Sequence, residues 1–332
     1  MIQKIEEIKK IREMNYEFVS LVASYLNNCP NAIDKDLIEG ITCEITENEE
    51  RVYRGLLANI FFEDEDLARV YEREYLSYGV KRLDPQEYLN NPYYKSISIP
   101  KSKVGGWELG YQKYEPYECF IYRDIVKKGY TEIPQIGFFN VEFQFPTVFE
   151  NGVEWMAIKP NEIETMKAPI ENAQGSVLIY GLGIGYFAYM VSQKEQVSSI
   201  VIVERDENVI NLFNDIILPQ FPNKNKITVI KSDAFEYAEK HMRNNNFDYV
   251  FTDLWHDVSD GVDLYIKMKK HEGVCPKAKF DYWIEGSILS SIRWSIFDGI
   301  YTQVKENPSK WTLNEIETYL SDKYLKEFVK FI

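Results

Sequence analysis

The chain has 332 residues, 45% of them hydrophobic and 15% aromatic, which is enough for one large domain with a real core and one or two smaller ones. Its 52 acidic residues outnumber 38 basic ones, and the resulting net charge of -14 argues against bulk nucleic-acid binding. The four cysteines have no CxxC spacing and there are only three histidines, so neither a disulfide framework nor a metal site is expected.

Residues 1–95 are predicted to be a helical N-terminal region. Isoleucines recur every three residues from Ile2 to Ile11, and Asp84-Pro85 is typical of an N-cap followed by proline at the first helical position. The charged, amphipathic start does not resemble a signal sequence, and no apolar run approaches the ~20 residues of a membrane span. We therefore expect no membrane partner and a cytoplasmic location.

Residues 96–170 are predicted to form a small β-rich unit. Glycines, prolines and dense aromatic residues replace the helical period here. The clearest piece is "VEFQFPTVFENGVEWMAIKP", in which two apolar runs flank Asn151-Gly152, a dipeptide that tolerates the positive φ angles of a tight turn. This pattern predicts a β-hairpin.

Residues 171–332 alternate between strands and helices, which predicts an α/β fold with a doubly wound, Rossmann-like parallel sheet. Helices are expected near 186–194, 206–218, 234–244 and 260–272. A capping box at Thr312 to Glu315 and a helical stripe predict that the tail is helical. The sheet is therefore expected to have about five parallel strands, at 176–180, 199–203, 226–231, 247–252 and 280–284.

A glycine turn, "GLGIG", follows the first of these strands, with glycines at Gly181, Gly183 and Gly185. A dinucleotide fingerprint would place its third glycine at Tyr186, and a P-loop would need Gly-Lys-Ser/Thr, so the spacing favours neither. The turn still removes side chains where a ligand passes the backbone, and the start of the next helix offers amide groups to a carboxylate.

Three acids end the next three strands in order: Glu204, Asp233 and Asp253. Carboxylates at these ends can accept hydrogen bonds from ribose hydroxyls, from an adenine amine and from groups at the reacting centre, respectively. Each acid also has an alternative interpretation as the N-cap of the following helix. Three acids in register with a glycine turn favour a nucleoside cofactor.

At these residues, over roughly 171–286, the chain resembles the class I S-adenosylmethionine-dependent methyltransferases. It is most similar to their spermidine-synthase-like branch, because "VLIYGLGIG" is close to "VLIIGGGDG" and "IVIVERD" and "SDAFEYA" are likewise similar. The resemblance implies S-adenosyl-L-methionine as cofactor. Class I methyltransferases usually end in an antiparallel β-hairpin, but the capping box and helical stripe of this tail predict that the hairpin is missing and that helices cover the open side of the sheet. The resemblance also implies that Gly181, Gly183 and Gly185 lie under the methionine portion, Glu204 binds the ribose, and Asp233 with Ala234 binds the adenine.

Two departures concern the catalytic segment. Ile184 stands where the branch carries an aspartate, and "DLWHDVSDG" replaces D-S/T-S/T-D-P, so that His256 occupies the place of the second acid and Asp257 follows one residue late. His256 is either a base near neutral pH or a histidine satisfied by a carboxylate. The catalytic candidates are Asp253, His256 and Asp257, of which the two aspartates would orient a cationic amine.

The segment "KPNEIETM" (159–166) corresponds to a substrate-lining helix of that branch, so Asn161, Glu162 and Glu164 are candidates for the site, with an ordinary capped helix as the alternative. The function predicted is S-adenosylmethionine-dependent methyl transfer to a small-molecule acceptor. Three alternatives stay open: a polyamine aminopropyltransferase, a nicotinamide oxidoreductase and a cofactor-binding scaffold without catalysis. Formation of a homodimer is also left open.

Overall fold

The computed structural model describes residues 1–44 and 48–332. These residues form two compact units. The first contains Met1–Tyr88, Lys113–Gln144 and Tyr301–Leu313, and the second contains Leu89–Gln112, Phe145–Ile300 and Asn314–Ile332. The β-rich segment 96–170 therefore contributes to both units.

The secondary structure of the described residues comprises twelve strands and fifteen α-helices, numbered in chain order. The strands β1 to β12 are Val80–Arg82, Ser102–Val104, Trp107–Tyr114, Phe120–Lys128, Thr131–Phe138, Phe143–Glu150, Val153–Ala157, Gly175–Tyr180, Val197–Glu204, Ile227–Lys231, Tyr249–Thr252 and Lys279–Tyr282. The helices α1 to α15 are Ile2–Asn28, Lys35–Glu44, Glu49–Phe61, Glu65–Tyr71, Ser77–Gly79, Pro85–Leu89, Pro92–Ser96, Pro160–Asn172, Tyr186–Ser192, Glu207–Leu212, Ala234–Lys240, Val258–Lys269, Glu285–Glu306, Leu313–Tyr319 and Asp322–Phe328. Among the described helices, none is both long and apolar enough to cross a bilayer.

The first unit packs helices against a three-stranded sheet of order β1-β5-β4. Its core is aromatic: the Tyr53 ring stacks on Phe138 with centroids 4.0 Å apart. As expected, Asp84 caps α6 by accepting from the Gln86 amide at 2.9 Å. The purely helical prediction for 1–95 is wrong at β1, because this three-residue strand exists only through its parallel pairing with the distant β5.

The second unit contains the five-stranded parallel sheet, of order β10-β9-β8-β11-β12, which confirms the predicted fold class. The chain runs outward from β8 to β10 and then returns to place β11 on the other side of β8. Such a reversal opens a crevice at the carboxyl ends of the two central strands, where ligands bind in sheets of this kind. Those ends are Tyr180 and Thr252, which are paired in the sheet.

A second sheet, of order β2-β3-β6-β7, contains the predicted hairpin. Strands β6 and β7 pair from Glu150 and Val153 onward, with Asn151 and Gly152 between them at φ angles of 51° and 85°. Both positive angles are those of a turn that matches the twist of the flanking strands. The Asn-Gly prediction is confirmed.

The chain after β12 continues as α13, α14 and α15, which confirms the predicted replacement of a terminal hairpin by helices. Within the second unit, the buried Arg293 donates to the Leu320 carbonyl at 2.9 Å and pairs with Asp322. Leu320 and Val329 are buried, as expected from their stripe, whereas Tyr319 and Phe328 are only half-buried.

The buried Leu325 on α15 gives a test of this packing. Because its side chain is fully buried, Leu325→Ala removes apolar contacts and leaves a cavity, and we expect a loss of about 2–5 kcal/mol in the free energy of unfolding. Urea unfolding measures it. The exposed Lys323 on the same helix is the control, because Lys323→Ala should change stability by no more than about 0.5 kcal/mol. Equal effects of the two substitutions would mean that α15 does not pack as described.

Candidate active site

The glycine turn lies at the crevice between β8 and β11. The Gly181 amide donates to the Val203 carbonyl at 3.0 Å, and the Gly185 amide donates to the Leu182 carbonyl at 2.9 Å. Gly181 has a φ of 95°, and a β-carbon there would overlap the carbonyl oxygen of Asp253. Glycine is required at this position because the end of the neighbouring strand passes directly against the turn.

Gly183 and Gly185 make room for protein side chains. A β-carbon at Gly183 would collide with the sulfur of Met156, and one at Gly185 would collide with the Phe213 ring. Met156 belongs to β7 and is half-buried. The place at Gly183 where a ligand is expected is therefore occupied by a methionine side chain.

A small cavity opens beside the turn. It has room for about one water molecule, so a nucleoside does not fit in it as it stands. Asp253 supplies the one carboxyl group among its lining residues. The lining residues are Met156, Met166, Ile179, Gly181, Leu182, Tyr186, Phe187, Ala188, Ile202, Phe251 and Asp253.

Asp253, which lines this cavity, acts electrostatically on Glu162, and the two carboxyl groups are called the acidic pair. Asp253 directly follows β11, its amide donates to the Tyr180 carbonyl at 2.9 Å, and burial raises the pKa of its carboxyl group to about 7. Glu162 lies on α8 and is only 7% exposed. Burial and then the charge of Asp253 raise the pKa of Glu162 well above its ordinary value. A pair of this kind retains a proton near neutral pH and can bind a cation or accept a proton.

Lys159 is the cation that acts on Glu162, and its charge lowers the glutamate's pKa. Its ammonium group is, however, paired with Glu154 at 2.7 Å. Glu154 itself adds a further negative charge near Glu162. The immediate surroundings of the acidic pair therefore remain acidic.

Glu204 connects the end of β9 to the glycine turn. Its Oε2 accepts from the Leu182 amide at 3.2 Å, and its Oε1 accepts from the amides of Arg205 and Asp206 at 2.7 and 2.8 Å. Asp233 instead acts as the N-cap of α11, with its Oδ1 accepting from the amides of Phe235 and Glu236. Ala234 is buried behind it. Glu204 thus touches the predicted turn, whereas Asp233 caps a helix and is exposed.

His256 and Asp257 are exposed, so the structure does not bring them into the cavity with Asp253. Asp257 caps α12: it accepts from the Ser259 amide at 2.6 Å, and this contact with Ser259 holds the pKa of Asp257 below its ordinary value. The His256 ring lies 6.1 Å from the ring of Trp155 and its Nδ1 lies 3.8 Å from Asp257 Oδ2. Trp255 packs against Gly261 of α12 as a buried residue.

Residues 162–275 match the spermine/spermidine synthase domain. The match confirms, over this segment, the resemblance to the spermidine-synthase-like branch. It includes Glu162, the glycine turn and all three strand-end acids. No curated protein matches the chain.

Solved structures give distant similarities. A spermidine synthase from Thermotoga maritima is 17% identical with a TM-score of 0.32, over 41% of this chain and 48% of that one. A spermidine synthase in complex with the transition-state analogue AdoDATO is 19% identical with a TM-score of 0.33, over 41% and 50%. The CcbJ methyltransferase from Streptomyces caelestis is 17% identical with a TM-score of 0.26, over 33% and 45%. The chain spans half or less of each of these proteins.

Two features of the site were hard to obtain from the sequence. Glu162 and Asp253 could each be named as candidates from their positions along the chain, but their interaction with one another could not. Met156 carries no signal, because its contact with Gly183 depends on how the hairpin packs. Within the described residues, no cluster of three or more His, Cys, Asp or Glu side chains is arranged to hold a metal ion.

The raised pKa of Asp253 predicts a specific pH dependence of stability. Its carboxyl group binds a proton more tightly in the folded protein than in the unfolded chain, because burial raises the pKa from 3.8 to about 7. The free energy of unfolding should therefore fall as the pH rises through that window. Asp253→Asn cannot ionise and should remove part of this fall, on the order of 2 kcal/mol, in urea unfolding curves recorded from acid to weakly alkaline pH.

Asp257→Asn is the matched control for this measurement. Because the pKa of Asp257 is lowered, its contribution to stability is gained as the pH rises through the acid range, which is the opposite sign. Asparagine still caps a helix, so the fold is retained. If Asp253→Asn kept the wild-type slope between about pH 4 and pH 7, the assignment of a proton-retaining Asp253 would be wrong.

Proposed function

We propose that the protein is an S-adenosylmethionine-dependent methyltransferase whose acceptor is a small amine. The observation that carries the proposal is the acidic pair of half-buried Asp253 and buried Glu162, with Asp253 beside a glycine turn. The turn has the spacing of a nucleoside-cofactor loop, and the pair has the charge to attract an ammonium group. The family match over residues 162–275 supports a transferase of this fold.

The polar groups at the turn can form the hydrogen bonds that the cofactor needs. The amides of Gly183 and Ile184 have no partner in the part of the chain that the structure describes, so both can donate to a ligand. Glu204 lies against the turn and can accept from a ribose hydroxyl. Space for the ligand would come from movement of Met156, whose unbranched side chain repacks at low cost.

Methyl transfer requires little of the protein beyond positioning the donor and the acceptor. S-adenosylmethionine, when bound, supplies a methyl group already activated by a positively charged sulfur. The chain's own residues must hold the amine and remove one of its protons. Asp253, with a pKa of about 7, is matched to that task near neutral pH. The pKa of Glu162 is raised well above its ordinary value, so the pair shares a proton that an approaching ammonium group can displace.

Aminopropyl transfer is the second candidate. The family match favours it, and the acidic surroundings of Glu162 suit a donor without a carboxylate. Against it, Ile184 is fully buried where an aspartate would stand, and His256 and Asp257 lie on the surface. The two activities differ in the donor, so one experiment separates them.

We expect methylated amine products when the protein is incubated with S-adenosylmethionine and a panel of small mono- and diamines, analysed by mass spectrometry. A parallel reaction contains decarboxylated S-adenosylmethionine and the same amines. Aminopropylated products in the second reaction alone would overturn methyl transfer in favour of the second candidate. Binding of the donor without any product would favour a scaffold.

Glu204→Gln tests the cofactor site itself. Because a buried ribose hydroxyl would lose a charged acceptor, we expect the affinity for S-adenosylhomocysteine to fall by about 1–3 kcal/mol, measured by titration calorimetry. Glu207→Gln is the control, since Glu207 lies nearby on α10 but pairs with Lys231 in solvent. Equal affinities of the two variants, or tighter binding of NAD than of S-adenosylhomocysteine by the wild type, would contradict the assignment.

A further inference from the structure

The short helix α7 and the residue before it hold the glycine turn from outside the matched segment. The Tyr93 hydroxyl donates to the carbonyl oxygen of Ile184, inside the turn, at 2.6 Å. The Asn91 Nδ2 donates to the hydroxyl of Tyr186, the first residue after the turn, at 2.9 Å. Tyr93 is fully buried and Asn91 is 8% exposed, so water does not compete strongly for either bond.

Tyr93 is itself fixed in place. The Asn91 Oδ1 accepts from the Tyr93 amide at 2.9 Å, which caps α7. The Tyr93 ring meets the rings of Tyr186 and Tyr189 edge to face, with centroids 5.8 and 5.4 Å apart. Burial raises the pKa of Tyr93, so its hydroxyl remains a donor throughout the physiological range.

The consequence is that the peptide between Ile184 and Gly185 is held on both sides. Its carbonyl accepts from Tyr93, and its N–H, on Gly185, donates to Leu182 at 2.9 Å. The turn's Gly181 and Leu182 amides are also used within the protein. The two preceding N–H groups, on Gly183 and Ile184, are left without a partner among the described residues, and adjacent N–H groups of this kind bind an anionic oxygen.

We propose that Tyr93 and Asn91 are positioning residues of the donor site. They fix the glycine turn so that the Gly183 and Ile184 amides stay together to receive the donor's carboxylate. This inference rests on the proposed function and refines it, because a pair of N–H groups distinguishes a donor with a carboxylate from one without. The segment that sets this preference lies at 91–93, outside residues 162–275.

Tyr93→Phe removes only the hydroxyl group and is the main test. We expect S-adenosylhomocysteine, which carries the carboxylate, to bind about tenfold more weakly. Binding of methylthioadenosine, which lacks it, should change by less than about twofold. Titration calorimetry gives both affinities. Hydrogen exchange of the ligand-free protein should show faster exchange confined to the peptides that cover 181–186.

Tyr94→Phe is the matched control. Tyr94 is the next residue of α7, and its hydroxyl donates to the carbonyl of Ile158, outside the glycine turn. This variant should leave the preference for S-adenosylhomocysteine over methylthioadenosine and the exchange of 181–186 unchanged. Asn91→Ser, which keeps a capping oxygen but has no group that reaches the Tyr186 hydroxyl, should act in the same direction as Tyr93→Phe and serves if that variant fails to fold.

The outcomes separate the two proposals. Wild-type protein that binds neither nucleoside would overturn the proposed function, and the exchange data would still decide whether Tyr93 holds the turn. Equal weakening of both ligands by Tyr93→Phe would show a general structural role and overturn the carboxylate preference. Unchanged affinities together with unchanged exchange would overturn the positioning role altogether.

Discussion

The close passage of the Asp253 backbone against Gly181 is the constraint on which the site depends. The parallel pairing of β8 with β11 places the ends of both strands at one crevice, and a side chain at Gly181 would overlap the Asp253 carbonyl. Only this approach brings the acid at the end of β11 beside the glycine turn at the end of β8. The order of the strands therefore decides which carboxyl group lies beside the glycine turn.

The acidic pair follows from that constraint. With Asp253 held at the crevice, burial raises the pKa of Glu162 on α8, and the charge of Asp253 raises it further. Two carboxyl groups that cannot both ionise freely store an unfavourable interaction that a bound cation relieves. The amine acceptor that we propose would supply such a cation.

Elements that are marked by a short stretch of sequence could be predicted from the sequence. The strands of the parallel sheet, the Asn-Gly turn and the helical tail are each marked by a short pattern, and the structure has all three. Contacts between distant segments left no such pattern. The strand β1, the placement of Met156 against Gly183 and the hydrogen bond from Tyr93 to Ile184 each join residues more than 25 positions apart. Asp257 caps α12, and the sequence did not separate this role from a catalytic one because a capping aspartate and a catalytic one look alike in a sequence.

A crystal structure with S-adenosylhomocysteine would test the central claim most directly. The account predicts the nucleoside over Gly181 to Gly185, the ribose hydroxyls on Glu204, the carboxylate on the amides of Gly183 and Ile184, and Met156 moved away from the turn. The vacated methyl position would then face Asp253. Ligand bound at another place, with Met156 still packed on Gly183, would contradict the account.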